Sequence, residues 1–214
     1  RHTRYWRDCS SDVCSSDLAD AAFEVMQGMR TLTVRMLRKC INTLILAKFL
    51  DSHPDIKVHC NAVVGNDNFE LCQKYMHLGL PAPLFTIEMG EIRTETFKRF
   101  IDALAPTFGH MISLGQSNTI VSCPALTTHS ELDTEALEAA GLTPTTIRFA
   151  VGDEDPFDLI RHLVYAARGT LDMDLSNFSA GFMDVAAARE LVRQNYAEAH
   201  AKFVDVELQH CPGY

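Results

Sequence analysis

The amino-acid sequence predicts a two-layer α/β unit, in which a small, mainly antiparallel sheet packs with helices and follows a long linking helix. Three observations predict it. Helical periodicity runs from Ala21 to about Leu50. Short apolar or alternating stretches then recur between further helical segments, in an α/β order. Proline or glycine stands at most of the junctions. The strands are short and no parallel crossover is forced, which points to a partly antiparallel sheet.

The linking helix has a possible bend at Gly28. It carries Leu37, Ile41, Leu44, Ile45 and Phe49 on one stripe, with Arg35, Arg38, Lys39 and Asn42 toward the other. His53-Pro54 ends it, because proline lacks an amide donor and biases its predecessor away from helix. Lys57 to Asn61 reads as a strand, and Asn68 to Leu78 as a helix packed through Phe69, Leu71, Cys72 and Tyr75. Pro81-Ala82-Pro83 introduces a strand at Leu84 to Met89, closed by Gly90. A helix from Thr94 to Ala105 follows, with Phe97, Phe100, Ile101 and Leu104 inward.

Met111 to Leu114 reads as a strand that empties into the polar turn Gly115-Gln116-Ser117-Asn118. Glu131 to Ala140 is a predicted helix with Gly141 as its left-handed cap, since glycine takes positive φ without steric cost. In Thr145 to Val151, Ile147, Phe149 and Val151 alternate with Thr146, Arg148 and Ala150, the period of a strand. Asp155 then caps a helix with Pro156 at its first position and Phe157, Ile160, Leu163 and Val164 as its buried stripe. Residues 171–183 read as irregular. Asp184 to Lys202 reads as a last amphipathic helix, with Val185, Ala188, Leu191, Val192 and Tyr196 on one side.

Composition excludes several function classes. The 214 residues are 47% hydrophobic, enough for one substantial core, and no uninterrupted apolar run reaches membrane-spanning length. A formal net charge of -9 with scattered basic residues argues against a nucleic-acid partner. Seven dispersed cysteines form neither CxxC pairs nor a compact framework, which points to buried thiols in a reducing cytoplasm. Neither a glycine-rich dinucleotide fingerprint nor a phosphate loop follows any strand.

Residues 1–18 contain the tandem repeat Cys9-Ser10-Ser11-Asp12-Val13 and Cys14-Ser15-Ser16-Asp17-Leu18. This stretch lacks a sustained apolar face and is expected to be a loose leader. Its wording resembles translated sequencing-adapter DNA, so a replaced native upstream sequence is the expectation. A paired-cysteine site finds little support in the five-residue spacing.

Arg148 is the sharpest chemical signal. A guanidinium within an apolar, alternating strand needs an anion, either a ligand carboxylate or phosphate or an internal acid such as Asp153 or Glu154. Ser113-Leu114-Gly115-Gln116-Ser117-Asn118-Thr119 is the second signal, a strand end whose glycine and polar side chains can turn amides toward an anion. The third is the cluster Ser122-Cys123-Pro124 with Thr127-Thr128-His129-Ser130. His129 could serve in acid-base work or bind zinc with Cys123, but a complete ligand set does not follow. Cys60, Cys72, His77 and His110 read as structural. The residues alone name no complete set of nucleophile, base and orienting group.

A family likeness lies in these same fragments. Gly28-Met29-Arg30-Thr31-Leu32 with Arg35-Met36 resembles the helix opening after the cofactor domain of the transsulfuration (Cys/Met metabolism) PLP-dependent enzymes. That family includes cystathionine γ-synthases, methionine γ-lyases and O-acetylhomoserine sulfhydrylases. The likeness resumes in Ser113-Leu114-Gly115, Pro124-Ala125, Thr128-His129-Ser130, Ala140-Gly141-Leu142 and Ile147 to Asp155, so it covers roughly residues 20–168 in order.

The resemblance implies the C-terminal small domain of a fold-type-I enzyme. Residues 1–18 would be the leader, 19–53 the end of the cofactor-domain region and the linking helix, 54–169 the substrate domain, and 170–214 a C-terminal extension. It implies an amino-acid substrate, pyridoxal phosphate in the full-length parent, and a homodimer or homotetramer. Arg148 stands where members bind the substrate α-carboxylate, with Ser113 lining the same pocket and Leu114, Gly115, Gln116, Asn118, Thr128 and His129 in support. Gln116, Asn118 and Cys123 depart from common family residues. They blur the choice among lyase, synthase and sulfhydrylase.

The family's cofactor lysine sits in an S-x-T-K-type segment. Lys39, Lys48, Lys57, Lys74, Lys98 and Lys202 all lack that context. The resemblance therefore implies a fragment that is inactive, and binds no cofactor, without an upstream domain. The competing reading is a non-catalytic α/β interaction or assembly module in which Arg148 completes an internal ion pair.

Overall fold

The computed structural model describes residues 13–128, 130–131 and 133–209, and the chain divides into two compact units, residues 1–37 and 38–214. Helix α1, Val13–Arg30, lies in the first unit. It starts within the stretch expected to be loose and runs on through Ala19, Ala21 and Ala22, which favour helix. Helix α2, Leu32–Asp51, follows after a break at Thr31. The carbonyl of Gly28 at this break accepts from the Arg35 guanidinium at 2.7 Å, and Arg35 Nε donates to Thr31 Oγ1 at 3.2 Å. Phe23, Val25, Met26 and Met29 on α1 are exposed.

In the second unit, α2 departs from the two-sided pattern read from its sequence. Ile41, Ile45, Leu46, Ala47, Phe49 and Leu50 are buried, but so are Lys39, Asn42 and Thr43. The helix is enclosed over more than one side, and its polar residues become internal anchors. Periodicity could not show this because the partners lie far along the chain.

The elements that follow are β1 (Ile56–His59), α3 (Phe69–Tyr75), β2 (Leu84–Met89), α4 (Thr94–Ala103), β3 (Gly109–His110), β4 (Ile120–Ser122), α5 (Thr134–Ala139), β5 (Ile147–Ala150), α6 (Pro156–Thr170) and α7 (Val185–Gln209). The five described strands form one mixed sheet in the order β1-β2-β5-β4-β3. Three pairings are antiparallel, and β3 with β4 is parallel.

Register gives the sheet two unlike faces, because directly paired residues project to the same side. Phe149 pairs with Phe85 and Val121, and Ile147 with Ile87. Stacking of Phe85 on Phe149, with ring centroids 5.1 Å apart, and edge-on contact from Phe108 centre the core on this apolar face. Helices α4 and α6 pack on one another and bury Phe97, Phe100, Leu159, Ile160 and Leu163. The opposite face carries Arg148, paired with Thr86 on β2 and Ser122 on β4.

Further expectations need correction. Residues 111–114 form no strand: Met111, Ile112 and Leu114 are exposed, and the pairing falls to β3 and β4 on either side. A short apolar run does not distinguish a strand from an exposed loop. Strand β4 is only three residues long and left no readable period. In α3 only Cys72 is buried while Leu71 and Tyr75 point outward, and a seven-residue helix is too short for its stripe to be reliable. In α7, Ala188, Asn195 and Ala199 are buried and Val185 is exposed.

The helix caps follow their sequence signals. Asp155 accepts from the Phe157 amide at 2.8 Å with Pro156 at the first turn, and Gly141 has φ +70°.

Candidate functional site

Arg148 sits at the middle of the polar face, half-buried, with Thr86 and Ser122 as its cross-strand neighbours. Beyond Thr86 the same face continues to His59 and Glu88. His59 Nε2 lies 2.9 Å from Glu88 Oε1, within ion-pair range but without hydrogen-bond geometry. Among the described residues, Arg148 forms no hydrogen bond or ion pair.

Of the internal acids that could have neutralised Arg148, Glu154 is engaged elsewhere and no ion pair joins Asp153 to Arg148 among the described residues. Glu154 accepts from the amide and hydroxyl of Thr119, the latter at 2.8 Å. The Asp153 amide donates to the Ser117 carbonyl at 2.8 Å. The ion pair expected of an assembly module is therefore absent among the described residues.

The 113–118 loop lies against the turn that follows β5. An added Cβ at Gly152 would stand 2.2 Å from the Ser117 carbonyl oxygen and 2.6 Å from the Asn118 carbonyl carbon, so glycine is required for this approach. The Gly152 amide donates to Thr119 Oγ1 at 3.0 Å. Lys39 supports the loop from within α2. Its side chain is only 2% exposed and donates to the carbonyls of Gly115 at 3.0 Å and Gln116 at 2.5 Å. Two carbonyl dipoles thus solvate a buried ammonium, which otherwise would be costly.

Asn42 joins the turn from the same helix, donating to the carbonyls of Gly152 at 3.2 Å and Glu154 at 2.8 Å. Sequence reasoning missed Lys39 and Asn42. The only local signal was their spacing of three on a helix whose neighbouring positions are apolar.

The predicted site residues are only partly brought together. Ser113 is half-buried and accepts from Gln116 Nε2 at 3.2 Å, and among the described residues no hydrogen bond joins it to Arg148. Leu114, Gly115, Gln116 and Asn118 are exposed, with Gly115 at φ +84°. Thr128 is exposed on the turn beyond Pro124–Leu126, and His129 lies outside the described residues. Burial pushes the Cys123 thiol up to about 12, so it stays a neutral thiol next to Ser122. Among the described residues no cluster of three or more His, Cys, Asp or Glu could hold a metal ion. No helix among them is long and apolar enough to cross a membrane.

The sequence profile of the Cys/Met metabolism PLP-dependent enzymes matches residues 9–167. The chain belongs to this family. Its relatives include an O-acetyl-L-homoserine sulfhydrylase of Leptospira meyeri, 33% identical over 150 residues, covering 69% of this chain and 33% of the relative. An L-methionine gamma-lyase of Treponema denticola is 31% identical, covering 68% of this chain and 35% of its own. Among solved structures, a cystathione gamma lyase of Micromonospora echinospora aligns with TM-score 0.61 and 30% identity over 69% of this chain and 38% of that one. The chain spans about a third of the length of the curated relatives it matches.

Family members are PLP enzymes, and most lysines among the described residues have partners of their own. Lys39 is committed to two carbonyls, Lys48 to Asn195 at 2.8 Å, Lys57 to Glu88 at 3.4 Å and Lys98 to Glu95 at 3.6 Å. Lys74 lies over the Tyr75 ring and Lys202 is exposed on α7. Neither described cavity is lined by a lysine.

Proposed function

We propose that this chain is the C-terminal, substrate-carboxylate-binding part of a transsulfuration enzyme that acts on homoserine esters or sulfur amino acids by γ-replacement or elimination. The observation that carries the reading is Arg148, a half-buried guanidinium on a polar sheet face with no anion partner among the described residues. Arginine stays charged at any physiological pH, and its planar fork matches a carboxylate, so a missing internal partner favours an external one. Ser122 and Thr86 flank it with hydroxyls. The 113–118 loop, held by Lys39 and followed by Thr119 bound to Glu154, supplies polar groups at the end of the same domain.

Pyridoxal phosphate would be held by the region that the relatives possess and this match does not cover. By itself the 214-residue chain is proposed to bind no cofactor and to be inactive. Exposed Phe23, Met26 and Met29 on α1 fit a chain that works within a larger assembly, since an apolar helix surface is normally covered. The complete enzyme is proposed to be a cytoplasmic homodimer or homotetramer.

The test joins this chain to the upstream two-thirds of the Leptospira meyeri relative. Activity toward O-acetylhomoserine, cystathionine and methionine is then measured with Arg148 intact and as Arg148→Met. The expected outcome is activity on at least one of these amino acids and a fall in kcat/KM of about 100-fold or more in R148M, from a lost charge-assisted contact. An active chimera indifferent to R148M would refute the assignment.

A further inference from the structure

We propose that Tyr196, on the C-terminal helix beyond the family match, is a positioning residue for the 113–118 loop and the turn after Arg148, acting through buried Asn42. The functional meaning rests on Arg148 and this loop serving the substrate, while the structural coupling stands on its own contacts. The family profile ends at residue 167, yet α7 (Val185–Gln209) reaches into the scaffold of the site.

Asn42 is fully buried and its amide has one workable orientation. Its nitrogen faces the carbonyl oxygens of Gly152 and Glu154, which need a donor. Its oxygen therefore faces the Tyr196 hydroxyl, 2.6 Å away, which must donate. A flipped amide would set its oxygen against two carbonyls. Burial also pushes the Tyr196 hydroxyl above its ordinary range, which keeps it a donor through neutral and mildly alkaline pH.

From Asn42 the coupling continues into the loop without a gap. Glu154 holds the amide and hydroxyl of Thr119, the Gly152 amide donates to Thr119 Oγ1 at 3.0 Å, and the Asp153 amide donates to the Ser117 carbonyl at 2.8 Å. The same helix has a second latch, Lys48 Nζ to Asn195 Oδ1 at 2.8 Å, which does not touch this turn. It supplies an internal control. Removing the Tyr196 oxygen should loosen the turn and loop, whereas removing the second latch should loosen only the helix.

The experiment is NMR-detected hydrogen exchange on the 214-residue chain as wild type, Tyr196→Phe and Lys48→Met. Y196F leaves a buried Asn42 acceptor unpaired, so exchange at the Thr119, Gly152 and Asp153 amides should rise about tenfold. The amides of β2 and β5 should stay at wild-type rates, and K48M should leave the three turn amides unchanged. No rise at these amides in Y196F, a uniform rise throughout the chain, or the same local pattern in K48M would each overturn the proposal. The exchange measurement is independent of substrate, so failure of the Arg148 assignment would be seen separately in the chimera.

Discussion

Gly152→Ala probes the closest backbone approach in the candidate site. Its new Cβ would sit 2.2 Å from the Ser117 carbonyl oxygen, 2.3 Å from Glu154 Oε2 and 2.6 Å from the Asn118 carbonyl carbon. Two of these are backbone atoms, so a side-chain rotation cannot relieve the contact. The loop must move away from the turn, which breaks the Asp153 to Ser117 hydrogen bond of 2.8 Å. Overpacking costs about 1–3 kcal/mol, and the lost bond adds about 1 kcal/mol. The expected destabilisation is thus about 2–4 kcal/mol, a fall in Tm of roughly 5–15 °C for a chain of this size.

Urea denaturation followed by circular dichroism, with a thermal melt, measures it. Gly169→Ala is the matched control: nothing lies within 4 Å of its added Cβ and it stands in α6, so it should stabilise by about 0.5–1 kcal/mol. If G152A proved as stable as wild type, the inferred seat of the 117–118 loop on this turn would be wrong.

Arg148→Met in the 214-residue chain should change stability by no more than about 0.5 kcal/mol, because no internal ion pair is lost; a loss of several kcal/mol in urea titration would point to a structural partner. Asp155→Ala removes the acceptor of the Phe157 amide and should cost about 1 kcal/mol in the same titration. Cys123 should resist iodoacetamide in the native chain at pH 8 and react once the chain unfolds, as read by peptide mass spectrometry, since its thiol is pushed up to about 12. The sign of the linked stability follows. Above about pH 8.5 the unfolded thiol ionises while the folded one keeps its proton, so its contribution is full below that pH and falls progressively toward pH 12. Urea midpoints at pH 8 and 10, compared between wild type and Cys123→Ala, check this.

Strand β2 at Leu84–Met89, the alternation around Arg148, the Asp155 cap and the positive φ of Gly141 were legible because each depends on residues within a few positions of one another. The family fragments were legible for the same reason, being short runs in a fixed order. The site's scaffold was not. Lys39 reaches the carbonyls of Gly115 and Gln116, and Asn42 reaches Gly152, Glu154 and Tyr196, in each case across more than 70 residues of chain.

By itself the sequence determined an α/β chain of this family with a cation on one face of a strand. Tertiary structure alone decided that β5 lies between β2 and β4, that Arg148 keeps no acid among the described residues, and that Ser113 turns to Gln116. It also turned Lys39 and Asn42, read from the sequence as lying opposite the apolar stripe of their helix, into buried anchors of the loop. The physical reason is that backbone propensity and side-chain period are set by near neighbours. Burial of a polar group is settled only by whether a distant segment arrives with the complementary donor or acceptor.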